Sequence, residues 1–144
     1  MIAAKDVARI LGGRQVLGKE VRNLRELEFA VSEGLPVGVL ERTTRYVTDS
    51  EAEAHRLRDR LIPPASRKRR RKTLKPAESE RVERLARLIA HAEAVWEDAA
   101  EARAFLLNPH PLLEDRRPVD LATSGVGARR VEDLLYKLEY SLPV

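Results

Sequence analysis

Val82-Glu83-Arg84-Leu85-Ala86-Arg87-Leu88-Ile89-Ala90-His91-Ala92-Glu93-Ala94-Val95-Trp96 is the stretch that decides the fold. Val82, Leu85, Leu88, Ile89, Ala92, Val95 and Trp96 recur with a period near 3.6 residues, which predicts the longest helix of the chain. Pro76 suits its first turn, where the missing N–H is not needed. Downstream, a shorter helix is expected over 99–107. Asn108-Pro109-His110-Pro111 then breaks it, because two prolines in four residues cannot sit inside a helix. Another short helix is expected over 118–122, followed by a loop at Gly125 and Gly127. A last helix over about 128–140 places Val131, Leu134, Leu135 and Leu138 on one face.

Upstream of the long helix the pattern is again helical. Residues 5–11 align Val7, Ile10 and Leu11 before Gly12-Gly13 stops them. Asn23 is a good N-cap, with Glu26 in a capping-box relation and Leu24, Leu27 and Val31 as the apolar stripe up to Gly34. Leu35-Pro36 opens a third segment in which Val37, Leu40 and Val47 are expected inside. Thr48-Asp49-Ser50-Glu51 has the form of a capping box, and the helix behind it would bury Ala54, Leu57 and Leu61 until Pro63-Pro64. No useful strand-like alternation and no internal repeat are present. The fold class expected is all-α, and its clearest boundary lies between Pro63 and Pro76.

Composition agrees. The chain has 144 residues, 35% charged and 4% aromatic, which suits thin aliphatic helical cores and is too apolar for general disorder. With no cysteine, disulfides, thiolate metal sites and cysteine nucleophiles are excluded, and the cytoplasm is a compatible compartment. The first residues lack the apolar core of a signal peptide. No stretch approaches the roughly 20 apolar residues that span a bilayer.

Arg67-Lys68-Arg69-Arg70-Arg71-Lys72 sets the sign of the chain. Of 27 basic residues six stand in this run, and without them the 23 acidic residues prevail. So concentrated a charge points to a polyanion, nucleic acid first, against the plainer reading of a solvated linker. A capped helix, a proline turn and a short basic helix have helix-turn-helix form. Helical spacing would then direct Arg67, Arg70 and Arg71 at DNA, with the other cations on backbone or solvent.

Catalytic signals are weak. His55, His91 and His110 lack ligand-like neighbours, so no metal site or cofactor is expected. Gly125-Val126-Gly127 lacks the third glycine and the preceding strand of a phosphate-binding turn. No nucleophile stands beside a base, and the chain is not expected to be an enzyme. On the last helix Tyr136 and Tyr140 lie off the leucine stripe, with Arg129, Glu132 and Asp133 nearby. That second face is either a satellite core or a partner surface. The apolar tail Ser141-Leu142-Pro143-Val144 is either frayed or fills a pocket.

Three runs carry a resemblance. They are Phe105-Leu106-Leu107-Asn108-Pro109-His110-Pro111-Leu112-Leu113, Arg117-Pro118-Val119-Asp120-Leu121 and Gly127-Ala128-Arg129-Arg130-Val131-Glu132-Asp133-Leu134-Leu135. Glu78-Ser79-Glu80-Arg81-Val82-Glu83-Arg84-Leu85-Ala86, Gly34-Leu35-Pro36 and Leu11-Gly12-Gly13 add to it. In this order and spacing the chain resembles the Xre/MbcA/ParS family of antitoxins. The resemblance implies a bacterial type II toxin–antitoxin system with a RES-type toxin that consumes NAD or ADP-ribosylates a target. It implies a non-catalytic antitoxin that covers the toxin's active site, forms a homodimer and represses its own operon by binding operator DNA.

The division expected on this basis is a helix-turn-helix-like DNA-binding region over 1–73 and a helical toxin-binding domain over 74–144. The DNA-binding residues are Arg67, Lys68, Arg69, Arg70, Arg71 and Lys72. The toxin-binding residues are Arg129, Glu132, Asp133, Tyr136, Tyr140, Leu142 and Val144, the tail approaching the toxin's NAD pocket. The alternative is a stand-alone DNA-binding regulator. Two places depart from the family. Arg67 stands where a leucine would anchor the recognition helix, so that helix is re-oriented, frayed or used as a phosphate grip. Ala122-Thr123-Ser124-Gly125-Val126 lacks the family's acidic residue.

Overall fold

The computed structural model describes residues 2–67 and 71–141. These form α1 (Ala4–Ile10), α2 (Gly13–Leu17), α3 (Leu24–Glu33), α4 (Gly38–Val47), α5 (Glu51–Leu61), α6 (Pro76–Trp96), α7 (Ala99–Leu107), α8 (Pro118–Leu121) and α9 (Gly125–Ser141). Single 3-10 turns stand at Pro64–Arg67 and Pro111–Leu113. The architecture is all-α, a helical bundle preceding a C-terminal helical region. Strand-type pairing among the described residues is confined to the isolated bridges Pro36 with Thr73 and His110 with Arg116.

The long helix forms where its periodicity put it. Pro76 occupies the first turn, and Glu78 accepts a hydrogen bond from the Lys75 N–H at 2.8 Å, satisfying a donor that the helix cannot. The other end closes at Glu97, left-handed with φ 54°, whose N–H bonds the Glu93 carbonyl. With 21 residues α6 is about 30 Å long. Val82, Leu85, Ala86, Leu88, Ile89 and Ala92 are all buried, on more than one face of the helix. It therefore serves both halves. Helices α1, α3, α4 and α5 pack on it from the N-terminal half, and α7 and α9 from the C-terminal half. One hydrophobic cluster runs from Ala4 to Leu135. The expected division after residue 73 falls just before the helix that both halves share.

One of the two caps read from the sequence forms as expected. Asn23 accepts from the Glu26 N–H at 2.9 Å. The box expected over Thr48–Glu51 is displaced by two residues: Ser50 caps α5 by accepting from the Glu53 N–H at 3.1 Å, while the Thr48 hydroxyl donates to the Thr44 carbonyl at 2.7 Å. Other expectations are corrected. Leu24 was placed in the buried stripe of α3 but is 72% exposed, while Leu27 and Ala30 supply the core contact. Val37 precedes α4 and is exposed, whereas Leu40 and Val47 are buried as expected. Gly12-Gly13 does not simply end α1, because Gly13 begins the five-residue α2. The Gly125–Gly127 segment is helical: α9 starts three residues early, and Gly127 is required there since a Cβ would lie 2.1 Å from the Leu121 carbonyl oxygen.

The short basic helix does not form over 71–75, which is non-helical. The backbone is instead drawn to the α3–α4 link. The Leu74 N–H bonds the Leu35 carbonyl at 2.7 Å, and the Val37 N–H bonds the Lys72 carbonyl at 3.0 Å. Gly34, at φ 94°, lets this strip approach, since a Cβ there would lie 2.4 Å from the Leu74 carbonyl oxygen. Among the described residues no helix is long and apolar enough to cross a membrane.

Candidate partner-binding surfaces

At the basic segment, charge and availability differ. The 3-10 turn at Pro64–Arg67 directs Arg67 back to the end of α5. Its Nε donates to the Ile62 carbonyl at 2.9 Å, and its guanidinium pairs with Asp59. The arginine at the expected leucine position is thus tolerated because it is partly exposed and paired, and it also meets a helix-end carbonyl. Arg71 likewise turns inward. Its Nη1 donates to Glu78 Oε1 at 2.8 Å and its Nη2 to Glu78 Oε2 at 3.2 Å, in fork geometry, and Nη2 also meets the Ser66 carbonyl at 2.7 Å. The Glu78 side chain is only 5% exposed. Burial pushes its carboxyl up, but hydrogen bonds from Arg71 and the Lys75 N–H together outweigh this and hold it below its ordinary value. Lys72 is exposed. Lys68, Arg69 and Arg70 lie outside the described residues.

A second charged cluster joins the halves. Arg117 donates to both oxygens of Glu53 on α5, each at 3.2 Å, and to both oxygens of Asp120 on α8 at 3.0 and 3.1 Å. Arg60 of α5 pairs with Asp120 at 3.0 Å. The Arg117-Pro118-Val119-Asp120 run therefore does two jobs. Pro118 starts α8, and the flanking charges clasp α8 to α5.

The C-terminal helix presents a free face. Val131, Leu134 and Leu135 fill the core, while Val126, Arg129, Asp133, Tyr136 and Tyr140 are exposed. Their spacings of three and four residues make them one stripe along α9. Tyr136 stacks on Tyr140 with ring centres 6.3 Å apart and planes 6° from parallel. It also meets the edge of His91, 4.6 Å away on α6. His91 is buried, and its Nε2 lies 3.6 Å from Glu139 Oε1. Tyr136 is thus held from one side and open on the other. Glu132 leans off the stripe toward Arg87, 3.9 Å away. Leu142 and Val144 lie outside the described residues.

The sequence reading missed one neighbour of this face. Leu112 is 62% exposed while Leu113 beside it is buried. The loop around them is fixed by left-handed Glu114 and Asp115 and by a carboxylate between two guanidiniums. Arg130 of α9 reaches Glu114 at 2.7 and 2.8 Å and the Leu112 carbonyl at 3.4 Å; Arg116 reaches Glu114 at 2.8 Å. These contacts, Arg130 first, hold the Glu114 carboxyl down to about 2. Only the turn geometry separates the two leucines, so apolar periodicity carried no signal for it.

No group of three or more His, Asp or Glu side chains able to hold a metal occurs among the described residues. Residues 91–140, from the second half of α6 to the exposed tyrosines of α9, match the family described as the antitoxin Xre/MbcA/ParS C-terminal toxin-binding domain. No curated protein matches the chain. The matched segment is about a third of the chain and contains the α7–α8 loop, the Arg117–Asp120 run and the whole tyrosine stripe. The description is that of a protein-binding domain rather than of a catalyst. The C-terminal region of this chain carries an Xre/MbcA/ParS-type antitoxin domain.

Proposed function

We propose that this protein is the antitoxin of a RES-type toxin that consumes NAD or ADP-ribosylates a target, acting in the cytoplasm. Residues 74–144 bind the toxin and cover its active site. The observation that carries the reading is the exposed α9 stripe, whose aromatic members lie inside the segment that matches a toxin-binding domain. Tyrosines suit such a role, because each buries a large rigid surface and keeps a hydroxyl for hydrogen bonding. Val126 within the stripe, and Leu112, whose carbonyl Arg130 of α9 reaches, add two exposed apolar side chains. In this reading the tail that follows α9 enters the toxin's NAD pocket.

Residues 1–73 supply the nucleic-acid function. Two copies of the chain bind operator DNA and repress the operon. Arg67 and Arg71 fix the ends of the basic run through Asp59 and Glu78, while Lys72 and the intervening cations grip phosphates. Neutralisation is tested by inducing the adjacent toxin gene with this chain or with its Tyr136→Ala/Tyr140→Ala variant. Wild type is expected to restore growth and cellular NAD, and the variant to fail while keeping its helical circular dichroism. Deleting residues 141–144 without loss of neutralisation would remove the tail from the account.

A further inference from the structure

The exposed side of α3 has a different character from the α9 stripe. Leu24 is 72% exposed and Phe29 56%, on a helix whose opposite side fills the core through Leu27 and Ala30. By helical position Leu24 and Phe29 bound one continuous face, with Glu28, Ser32 and Arg25 between them. A groove of about 580 Å³ runs along that face, lined by Lys19, Glu20, Arg25, Glu28 and Phe29. Lys19 Nζ sits over the Phe29 ring, 5.2 Å from its centre.

The charges identify the occupant. Arg22 and Glu26 pair with each other at 3.0 Å. That leaves Lys19 and Arg25 against Glu20 and Glu28, equal numbers of each sign, all exposed. Arg25 and Glu28 form no ion pair among the described residues, although one helical turn separates them. A nucleic-acid surface carries an excess of cations, and this one has none. Equal and opposite charges around an apolar centre are what a two-fold contact requires, since the same patch must complement itself. We propose that this face binds a second copy of this chain, with Phe29 and Leu24 buried at the contact and Arg25 of each protomer facing Glu28 of the other. The proposal names the surface of the two-fold assembly in the functional reading above and rests on that reading only for what the dimer does. Helix α3 packs on α6 and α1, whereas α9 packs on α6 and α8, so the two surfaces belong to different helices of the bundle.

Sedimentation equilibrium of the full chain is the test. Wild type is expected to show a concentration-dependent dimer, and Phe29→Asp to weaken it at least about tenfold with unchanged circular dichroism. Arg25→Glu and Glu28→Arg place like charges opposite each other in their own homodimers. Each is expected to dissociate, and an equimolar mixture to recover the dimer, because both cross-pairs are then attractive. A monomeric wild type, a Phe29→Asp variant that dimerises normally, or a mixture that stays dissociated would overturn the proposal. So would a Phe29→Asp variant that keeps the dimer and loses the toxin. Tyr136→Ala/Tyr140→Ala is expected to leave the dimer intact, so failure of the toxin reading is distinguishable from failure of this one.

Discussion

The basic segment around Arg67–Arg71 and the outer face of α9 are the two regions that the sequence marks for partners, and the fold treats them in opposite ways. At the basic segment the conspicuous groups are partly consumed. Arg67 is held by Asp59 and Arg71 by the buried Glu78. On α9 the conspicuous groups remain outside, Tyr140 at 78% exposure and Tyr136 stacked against it. Charge density reports how much charge a segment carries, not how much is left for a partner. On α9 helical periodicity does better, because there it separates the residues the core has claimed from those it has not.

That contrast breaks first, and by the largest margin, if the α9 face is dispensable. Tyr136→Ala with Tyr140→Ala is expected to cost at least about 100-fold in toxin affinity by calorimetry, roughly two hot-spot side chains, with little change in melting temperature. Next comes the buried anchor of the basic segment. Glu78→Ala removes the acceptor of the Lys75 N–H and the partner of Arg71, and should lower folding stability by about 1–2 kcal/mol in urea denaturation. The Tyr136/Tyr140 variant should not.

The comparison sharpens with salt. Lys72→Gln is expected to reduce the slope of log affinity against log salt for duplex DNA by about one unit. Arg71→Gln should leave that slope nearly unchanged and lower the melting temperature, since its charge is engaged with Glu78. Equal slopes for the two variants would show that Arg71 leaves Glu78 to meet phosphate.

The smallest effect is set by pH. Glu51, between Arg45 and Arg58, and Glu114, between Arg130 and Arg116, both have carboxyls lowered to about 2. Their stabilisation is fully present above the unfolded carboxylate range near 4.3 and is lost as pH falls through about 2. Melting temperature should drop across that window, and Glu114→Gln should flatten part of the drop. Both carboxylates are exposed, so the slope should be shallow and weaker in salt.

Much of the fold was legible in the residues. The α6 stripe, the Asn23 cap and the break at Asn108-Pro109-His110-Pro111 each carry a local physical signal, and each forms as read. What was hidden depends on contacts distant in sequence. Leu24 looks like a core residue until α6 and α1 select the other side of α3. The basic helix fails over 71–75 because those residues bond the α3–α4 link, some 35 positions earlier. The Glu53–Arg117–Asp120–Arg60 clasp joins α5 to α8, and no spacing rule predicts it. On the α9 face, Tyr136 and Tyr140 were visible from helical spacing, while Leu112 needed the left-handed turn at Glu114 to become exposed.

The most direct test of the central claim is binding of the purified full chain to the product of the adjacent gene, with NAD consumption read in the same samples. The account predicts a stoichiometric complex in which NAD consumption or ADP-ribosylation stops, and loss of both effects with Tyr136→Ala/Tyr140→Ala. A toxin that binds and is silenced equally well by that variant, or a neighbouring product that never binds the chain, would contradict it.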